Sequence, residues 1–420
     1  MGSSMKRKVH FSMIEGNSIG YYALFALFGL IAGVGLLGAM YMEHYGHVRT
    51  GMNNSIVWGT PHVFAVFLIV AASGALNVAS MASVFGRHHY APLARLSSLL
   101  AIALMAGGLA VLMLDLGQPG RGFTVATVYY NATSVFSWNL VLYSVFFAAV
   151  IFYLWTMMES KMNKYYRPAG YAAFIWRLIL TTGTGSIFGF LVARHAYDAA
   201  IMAPMFIIMS FAFGLAIFIL VMTAAYQWSN RPLGDIIISR VRNLLGVFVA
   251  AVLYFTLVYH LTNLYVAENA GFERMILLGE GVSQYSMVFW IGHVIVGGIL
   301  PLILLYAPPF CRSLKSTVLA SILVILGGLA QMYVIIVGGQ AYPMQLFSDK
   351  TVISSSFQDG QYIDYMPSMP EVLLGVGGIG IALIIVVFAI KIMPFMPNSL
   401  ADKVVDPFHK PSVDSDATEA

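Results

Sequence analysis

Cysteine is nearly absent from this chain, and charge is scarce. Among 420 residues the single cysteine is Cys311, which excludes a disulfide within the chain, a cysteine-ligated iron–sulfur cluster and a CxxCH haem attachment. Any metal must therefore be held by His and carboxylates, and no metal site is expected. Only 10% of the residues are charged, against about 25% in soluble domains, which excludes an ordinary soluble globular protein. No Walker loop, dinucleotide-binding glycine pattern or nucleic-acid motif occurs, and no cleavable signal peptide is expected. What is abundant is apolar: 59% of the residues are hydrophobic and the mean hydropathy is +0.81. The composition is that of an all-α polytopic membrane protein.

Apolar runs long enough to cross a bilayer, about 20 residues each, fall at 19–43, 61–85, 95–116, 135–157, 169–195, 203–227, 243–267, 283–307, 316–339 and 371–393. Ten helices are expected, with the membrane domain spanning 19–393. Of the 22 Lys and Arg residues, sixteen fall on one side of this alternation and five on the other, with Arg177 inside the fifth run. The positive-inside rule then puts both termini in the cytoplasm, with residues 1–18 as a cytoplasmic N-terminus. The inward-side histidines His10, His88, His89 and His409 read as lipid-facing basic residues. A tail from 394 to 420, polar and without an apolar period, is expected to be disordered and cytoplasmic.

Most of the unusual polar residues collect at the outer ends of the helices, which are periplasmic in this orientation. Four segments stand out: Trp58 to Phe64, Leu114 to Arg121, Ser134 to Asn139 and Val337 to Pro343. In the second, an apolar run ends in Asp115, followed by Gly117, Pro119, Gly120 and Arg121. A carboxylate at the mouth of a membrane helix is costly to desolvate and points to a ligand, a cation or a proton path. Asp115 and Arg121 as wetted residues closing a helix-turn is the other reading. His62 stands in the first turn of the second helix, His195 lies at the end of the fifth, and His260 and His293 lie roughly 10 and 15 Å deep at 1.5 Å per residue. Arg177 is too deep for easy snorkelling and, with Asn77, marks a candidate proton path from the inner side. The loop from about 340 to 370 carries Asp349, Asp359, Asp364 and several tyrosines. With Glu268, Glu273 and Glu280 it is expected to form an acidic, aromatic docking face for another subunit, the alternative being ordinary solvated loops.

A quinone site requires these residue types at this depth. Two carbonyls need hydrogen-bond partners, an isoprenoid tail needs an apolar cleft, and two protons accompany two electrons. A carboxylate and an imidazole at the membrane edge meet the proton requirement, which singles out Asp115 and His62. Nothing in the sequence is an obvious one-electron carrier, so a redox role requires an external partner.

The segments LDLGQPGR, GTPHVFAVFLIVAASG, SVFSWN and VGGQAYP together resemble the NrfD/PsrC family of quinone-interacting integral membrane subunits, over nearly the whole membrane domain. Ten helices match the family's longer branch, and within it the chain looks most like the DsrP type of DsrMKJOP complexes. That resemblance implies two four-helix bundles (helices 2–5 and 6–9) and a menaquinone or ubiquinone site near the periplasmic face. The site pattern carries over to His62 and Asp115 as catalytic groups, with Arg121, Asn139, His293 and Gln340 as further quinone-binding residues. The implied partners are a periplasmic ferredoxin-like (DsrO-like) iron–sulfur subunit, a DsrM-like membrane subunit, a multihaem cytochrome c and a cytoplasmic iron–sulfur subunit. The implied setting is electron transport in dissimilatory sulfur metabolism, with no haem or cluster expected in this chain. Two alternatives remain: a haem b cytochrome using His62, His195, His260 or His293 as axial ligands, and an ion- or proton-coupled transporter.

Overall fold

The computed structural model describes residues 9–308, 310–344 and 360–405. Among the described residues, ten helices are long and apolar enough to cross a membrane: α1 Ile19–Tyr45, α2 Thr60–Ser83, α3 His88–Asp115, α4 Val135–Met158, α5 Ser160–Phe190, α6 Met202–Trp228, α7 Asp235–Tyr265, α8 Ser283–Tyr306, α9 Leu314–Ala341 and α10 Met369–Ile392. With every backbone polar group bonded inside its own helix, such segments are the economical way to cross lipid. The only strands among the described residues are β1 Phe11–Ser12 and β2 Met396–Pro397, which pair antiparallel. That pairing brings the segments just before α1 and just after α10 to one face, the terminal face, as an even number of spans requires.

The helices pack as two rings that share a wall. Helices α2, α3, α4 and α5 contact one another in a closed circuit, α6, α7, α8 and α9 form another, and α2 and α5 lie against α6. Helices α1 and α10 pair with each other and cover α2 and α3 from outside. Burial follows this plan. In α2, 94% of the apolar stretch is buried, against 17% in α1, so α2 is the axis of the molecule and α1 turns most of its surface outward. At the shared wall Gly74 of α2 meets Ser210 of α6, and Gly214 of α6 meets the backbone of α2 from Ala71 to Ala75, so a Cβ at either position would collide with main chain. Small residues of this kind let membrane helices approach closely and gain dispersion contacts.

Local features depart from a plain ten-helix reading. Short helices Pro119–Val128 and Ala270–Leu278 lie in the connections after α3 and α7. The backbone widens to π-helical hydrogen bonding over Val288–Ile299 in α8 and Val334–Gly338 in α9. The tail beyond 394 is not structureless as far as residue 405. Phe395 and Met396 are each 1% exposed and Leu400 is fully buried, Tyr226 donates to Pro397 O at 3.1 Å, and Asp402 accepts from Ile236 N at 2.9 Å at the start of α7. The segment is unreadable by periodicity because its apolar residues fill the gap between helix ends irregularly. Residues 406–420, and Asp349 and Asp359 of the expected docking loop, lie outside the described residues.

Candidate functional site

The first cluster forms where α2 begins and α3 ends, at the face opposite the termini. Pro61 opens α2, where its missing N–H costs nothing and its fixed φ suits a first turn. This sets His62 on the rim with its side chain 15% exposed. The indole of Trp58 stacks on the His62 imidazole, with ring centroids 5.2 Å apart and planes 11° from parallel. Trp58 is fixed in turn from the second ring of helices. The Gln340 side chain accepts from Val57 N at 2.9 Å and Trp58 N at 3.1 Å, and donates to Trp58 O at 2.9 Å. Arg194 donates to Gln340 O and Ser55 O, both at 2.8 Å, closing the brace.

From the other side comes the end of α3. Gly117 and Gln118 both adopt left-handed conformations, with φ of 62° and 50°, a turn that glycine enters freely and glutamine does not. The Gln118 amide is held by Glu43 Oε2 at 2.7 Å. This reversal ends α3 at Asp115 and sends the chain into the exposed helix Pro119–Val128. The Asp115 side chain is only 7% exposed, and its Oδ2 lies 4.0 Å from His62 Nδ1. Its Oδ1 is buried with no hydrogen-bond partner among the described residues. Buried carboxylate oxygens are almost always satisfied. An unsatisfied one beside an imidazole too far away to bond is a pair with capacity for a third polar group.

A second layer, not anticipated from the sequence, anchors the start of α2. Tyr365 accepts from Thr60 N at 2.8 Å and donates to Glu371 Oε1. Glu371, fully buried at the start of α10, also accepts from Gly51 N at 2.8 Å and Ser368 N at 2.7 Å. A Cβ at Gly59 would sit 2.6 Å from both the carboxylate and the phenol, so glycine there is a condition of the arrangement. Burial first, then the Glu371 carboxylate, pushes the Tyr365 phenol above its ordinary value of 10.0, which keeps it a donor. The run Ser368 to Glu371, a helix-capping pattern, is the legible signal for this layer.

The remaining sequence candidates divide. Asn139 is buried, but its amide donates to Val135 O at 2.9 Å and Gly183 O at 3.4 Å while Thr184 donates to its oxygen at 3.3 Å. It ties α4 to α5. Gln340 is likewise spent, since its amide nitrogen also bonds Ile336 O at 2.8 Å; it positions Trp58 and has no donor left to offer. Arg121 sits exposed on the Pro119–Val128 helix and takes part in neither ion pair found among the described residues. Arg177 and Asn77 do meet, with Nη1 donating to Asn77 Oδ1 at 2.5 Å and Ser73 O at 3.0 Å, and with the Phe174 and Phe211 rings 5.0 and 5.1 Å away. Neither ion pair found among the described residues involves this guanidinium.

His293 belongs to a second cluster, in the other ring of helices. Its Nε2 lies 3.2 Å from Thr256 Oγ1, while His260 Nδ1 lies 2.6 Å from Glu273 Oε2. Glu273, expected on an acidic docking face, is instead fully buried. The helix Ala270–Leu278 folds back over the end of α7 and turns this carboxylate inward, a return that residue types in a loop do not reveal.

Comparison with known proteins agrees with this architecture. The family described as "Polysulphide reductase, NrfD" matches residues 48–344. The chain is similar to the Hdr-like menaquinol oxidoreductase integral membrane subunit of Archaeoglobus fulgidus, 27% identical over 95% of this chain and 99% of that one. It is also similar to a selenate reductase subunit of Mesobacillus selenatarsenatis, 22% identical over 88% of this chain and 93% of the relative. A putative dimethyl sulfoxide reductase membrane subunit of Halobacterium salinarum is 24% identical over 87% of this chain and 89% of its own.

Proposed function

The chain belongs to the NrfD (polysulphide reductase) family, and from that premise we propose that it exchanges electrons between membrane quinone and an iron–sulfur subunit docked on the face opposite the termini. The observation that carries this reading is the His62–Asp115 pair: 4.0 Å apart, with a buried oxygen unpartnered, beneath a stacked indole. A quinone bound there supplies a two-electron, two-proton couple. His62 and Asp115 would each hold a hydrogen bond to it and each take or return one proton, His62 as neutral imidazole and Asp115 as carboxylate. Trp58 keeps the imidazole plane fixed, and Gln340 and Arg194 keep Trp58 fixed. Electrons leave the chain, since a single cysteine cannot ligate a cluster. A menaquinone is the favoured quinone, because a relative of similar length is described as a menaquinol oxidoreductase subunit.

The excess of Lys and Arg at the terminal face supports a cytoplasmic position for that face, and with it a periplasmic site. The domain limits follow: a cytoplasmic segment 1–18, ten spans over 19–393, a periplasmic connection 340–370 and a cytoplasmic segment from 394. The finer reading places the chain as a DsrP-type subunit with DsrO-like, DsrM-like, multihaem cytochrome c and cytoplasmic iron–sulfur partners in sulfur metabolism. Arg177 and Asn77 are a proton path in this reading.

Replacement of Asp115 by Asn and of His62 by Ala in the intact complex tests the site. Quinol-dependent electron transfer is lost while the subunits still co-purify; wild-type turnover in both variants refutes the assignment.

A further inference from the structure

The quinone reading makes no use of the seam between α1 and α10, outside both rings. The two helices close on each other at glycine: a Cβ on Gly35 would meet Gly377 Cα at 2.5 Å, and one on Gly38 would meet Pro370 O at 2.9 Å. The side chains beside that seam are large. Leu37 and Tyr41 of α1 and Met369 and Leu373 of α10, with Gly38 among them, line an open groove of about 390 Å³. Small-molecule sites span about 300–1,000 Å³, so the groove has room for a flexible chain. Its walls are uncovered, with Leu37 63% and Met369 69% exposed. Leu37 stands eight residues inside the end of α1 at Tyr45, about 12 Å at 1.5 Å per residue. The groove therefore runs inward from the helix ends to the depth of lipid chains.

Arg49 also lines the groove, from the single turn His47–Arg49 that follows α1. This guanidinium has no acid to meet. Neither ion pair among the described residues includes it, and it donates no hydrogen bond there. The only carboxylates on α1 and α10 are committed elsewhere: Glu43 accepts from Gln118 N at 2.7 Å, and Glu371 accepts from Gly51 N at 2.8 Å and Ser368 N at 2.7 Å. An unmatched cation thus stands at the end of an apolar groove. Water is a poor filling for such walls, and a neutral isoprenoid chain leaves the cation unmatched. A chain whose head carries phosphate satisfies both, because a guanidinium meets two phosphate oxygens with parallel hydrogen bonds.

We propose that the groove between α1 and α10 binds one phospholipid, with its phosphate on Arg49 and one acyl chain along Tyr41, Gly38 and Leu37. The lipid comes from the leaflet at the face opposite the termini. A headgroup of net negative charge is preferred to a zwitterionic one, since neither carboxylate on these two helices is free to receive an ammonium. The bound chain covers the apolar walls that the protein leaves open, and the phosphate supplies the counter-charge that Arg49 lacks.

Photolabelling of the intact complex with a phosphatidylglycerol that carries a diazirine midway along one acyl chain tests this. It reads no quinone turnover, so its failure and that of the His62–Asp115 assignment are separable. In wild type the label lands on α1 between Val34 and Tyr41 and on α10 between Met369 and Leu373. Excess unlabelled phosphatidylglycerol displaces it, whereas inorganic phosphate, or diacylglycerol with the same chains, does not. Arg49→Gln, at an exposed position, lowers labelling at subsaturating lipid about tenfold, the scale of a lost charge-assisted hydrogen bond. Leu37→Trp, which fills the groove from an exposed position, lowers it similarly. Should Leu37→Trp fail to assemble, Arg49→Gln alone decides. An absence of label on both helices, as a subunit seated over the groove would give, overturns the proposal. So does displacement by diacylglycerol as effective as by phosphatidylglycerol, the mark of a site for any apolar chain, a quinone tail included. Displacement by inorganic phosphate, or unchanged labelling in Arg49→Gln, overturns it too.

Discussion

Each ring of helices carries a histidine–carboxylate pair, and the two pairs differ in almost every respect that chemistry can use. His62 and Asp115 stand 4.0 Å apart with side chains 15% and 7% exposed, and one carboxylate oxygen has nothing to bond. His260 and Glu273 stand 2.6 Å apart, and both carboxylate oxygens are engaged. A loose pair keeps its bonding capacity for an incoming molecule. A tight pair spends that capacity internally and exchanges only what fits through a hydrogen bond. The same two kinds of side chain therefore leave room for a third group in one bundle and close on each other in the second.

The sharpest way to break the comparison is to neutralise each carboxylate and measure activity and stability separately. Asp115→Asn is expected to lower quinol turnover by about 100-fold or more, the scale of a lost acid–base group, while the thermal midpoint of the complex stays close to wild type because Oδ1 has no bond to lose. Glu273→Ala is expected to invert this, costing about 1–3 kcal/mol of stability by leaving the buried His260 and Asn263 groups unpaired. The assembled fraction would keep most of its electron transfer. Matching losses of activity and stability in both variants would erase the distinction between the pairs.

A smaller effect concerns the brace. Gln340→Ala removes four hydrogen bonds and should raise the KM for quinol about tenfold, the equivalent of one well-placed interaction of about 1.4 kcal/mol. A change in kcat alone would contradict a positioning role. Below it comes Tyr365→Phe, which removes the link between Glu371 and the start of α2 and should cost about 1–3 kcal/mol by leaving buried groups unpaired; a thermal melt measures it. Last is Arg121→Ala, exposed and in neither ion pair found among the described residues, for which turnover within a factor of two is expected. A large loss there would return Arg121 to the site.

The spans, their number and the depth of the polar residues are legible because lipid imposes length and composition on every helix. His62 and Asp115 are legible as a pair because both lie at helix ends of the same sidedness. Their neighbours are not. Asn139 and Gln340 share that depth, yet the amide of each is turned back onto backbone carbonyls, and only side-chain direction separates a ligand-facing amide from a bracing one. Glu273 reads as surface acid because its helix looks like loop in a linear scan. Glu371 and Tyr365 escape notice because their partners, Gly51, Gly59 and Thr60, lie some three hundred positions earlier in the chain.

The clasp at the terminal face has a consequence for biogenesis. Strand β1 precedes all ten spans and its partner β2 follows them; Ser12 and Asn398, which bond across the clasp, are separated by 386 positions. Nothing can close it until all ten spans have entered the membrane. With Leu400 and Asp402 then seated against the start of α7, a closed clasp is a certificate of complete insertion. A chain that stalls before α10 leaves Phe11 without its strand partner and Arg231 without the carbonyls of Met396 and Pro397.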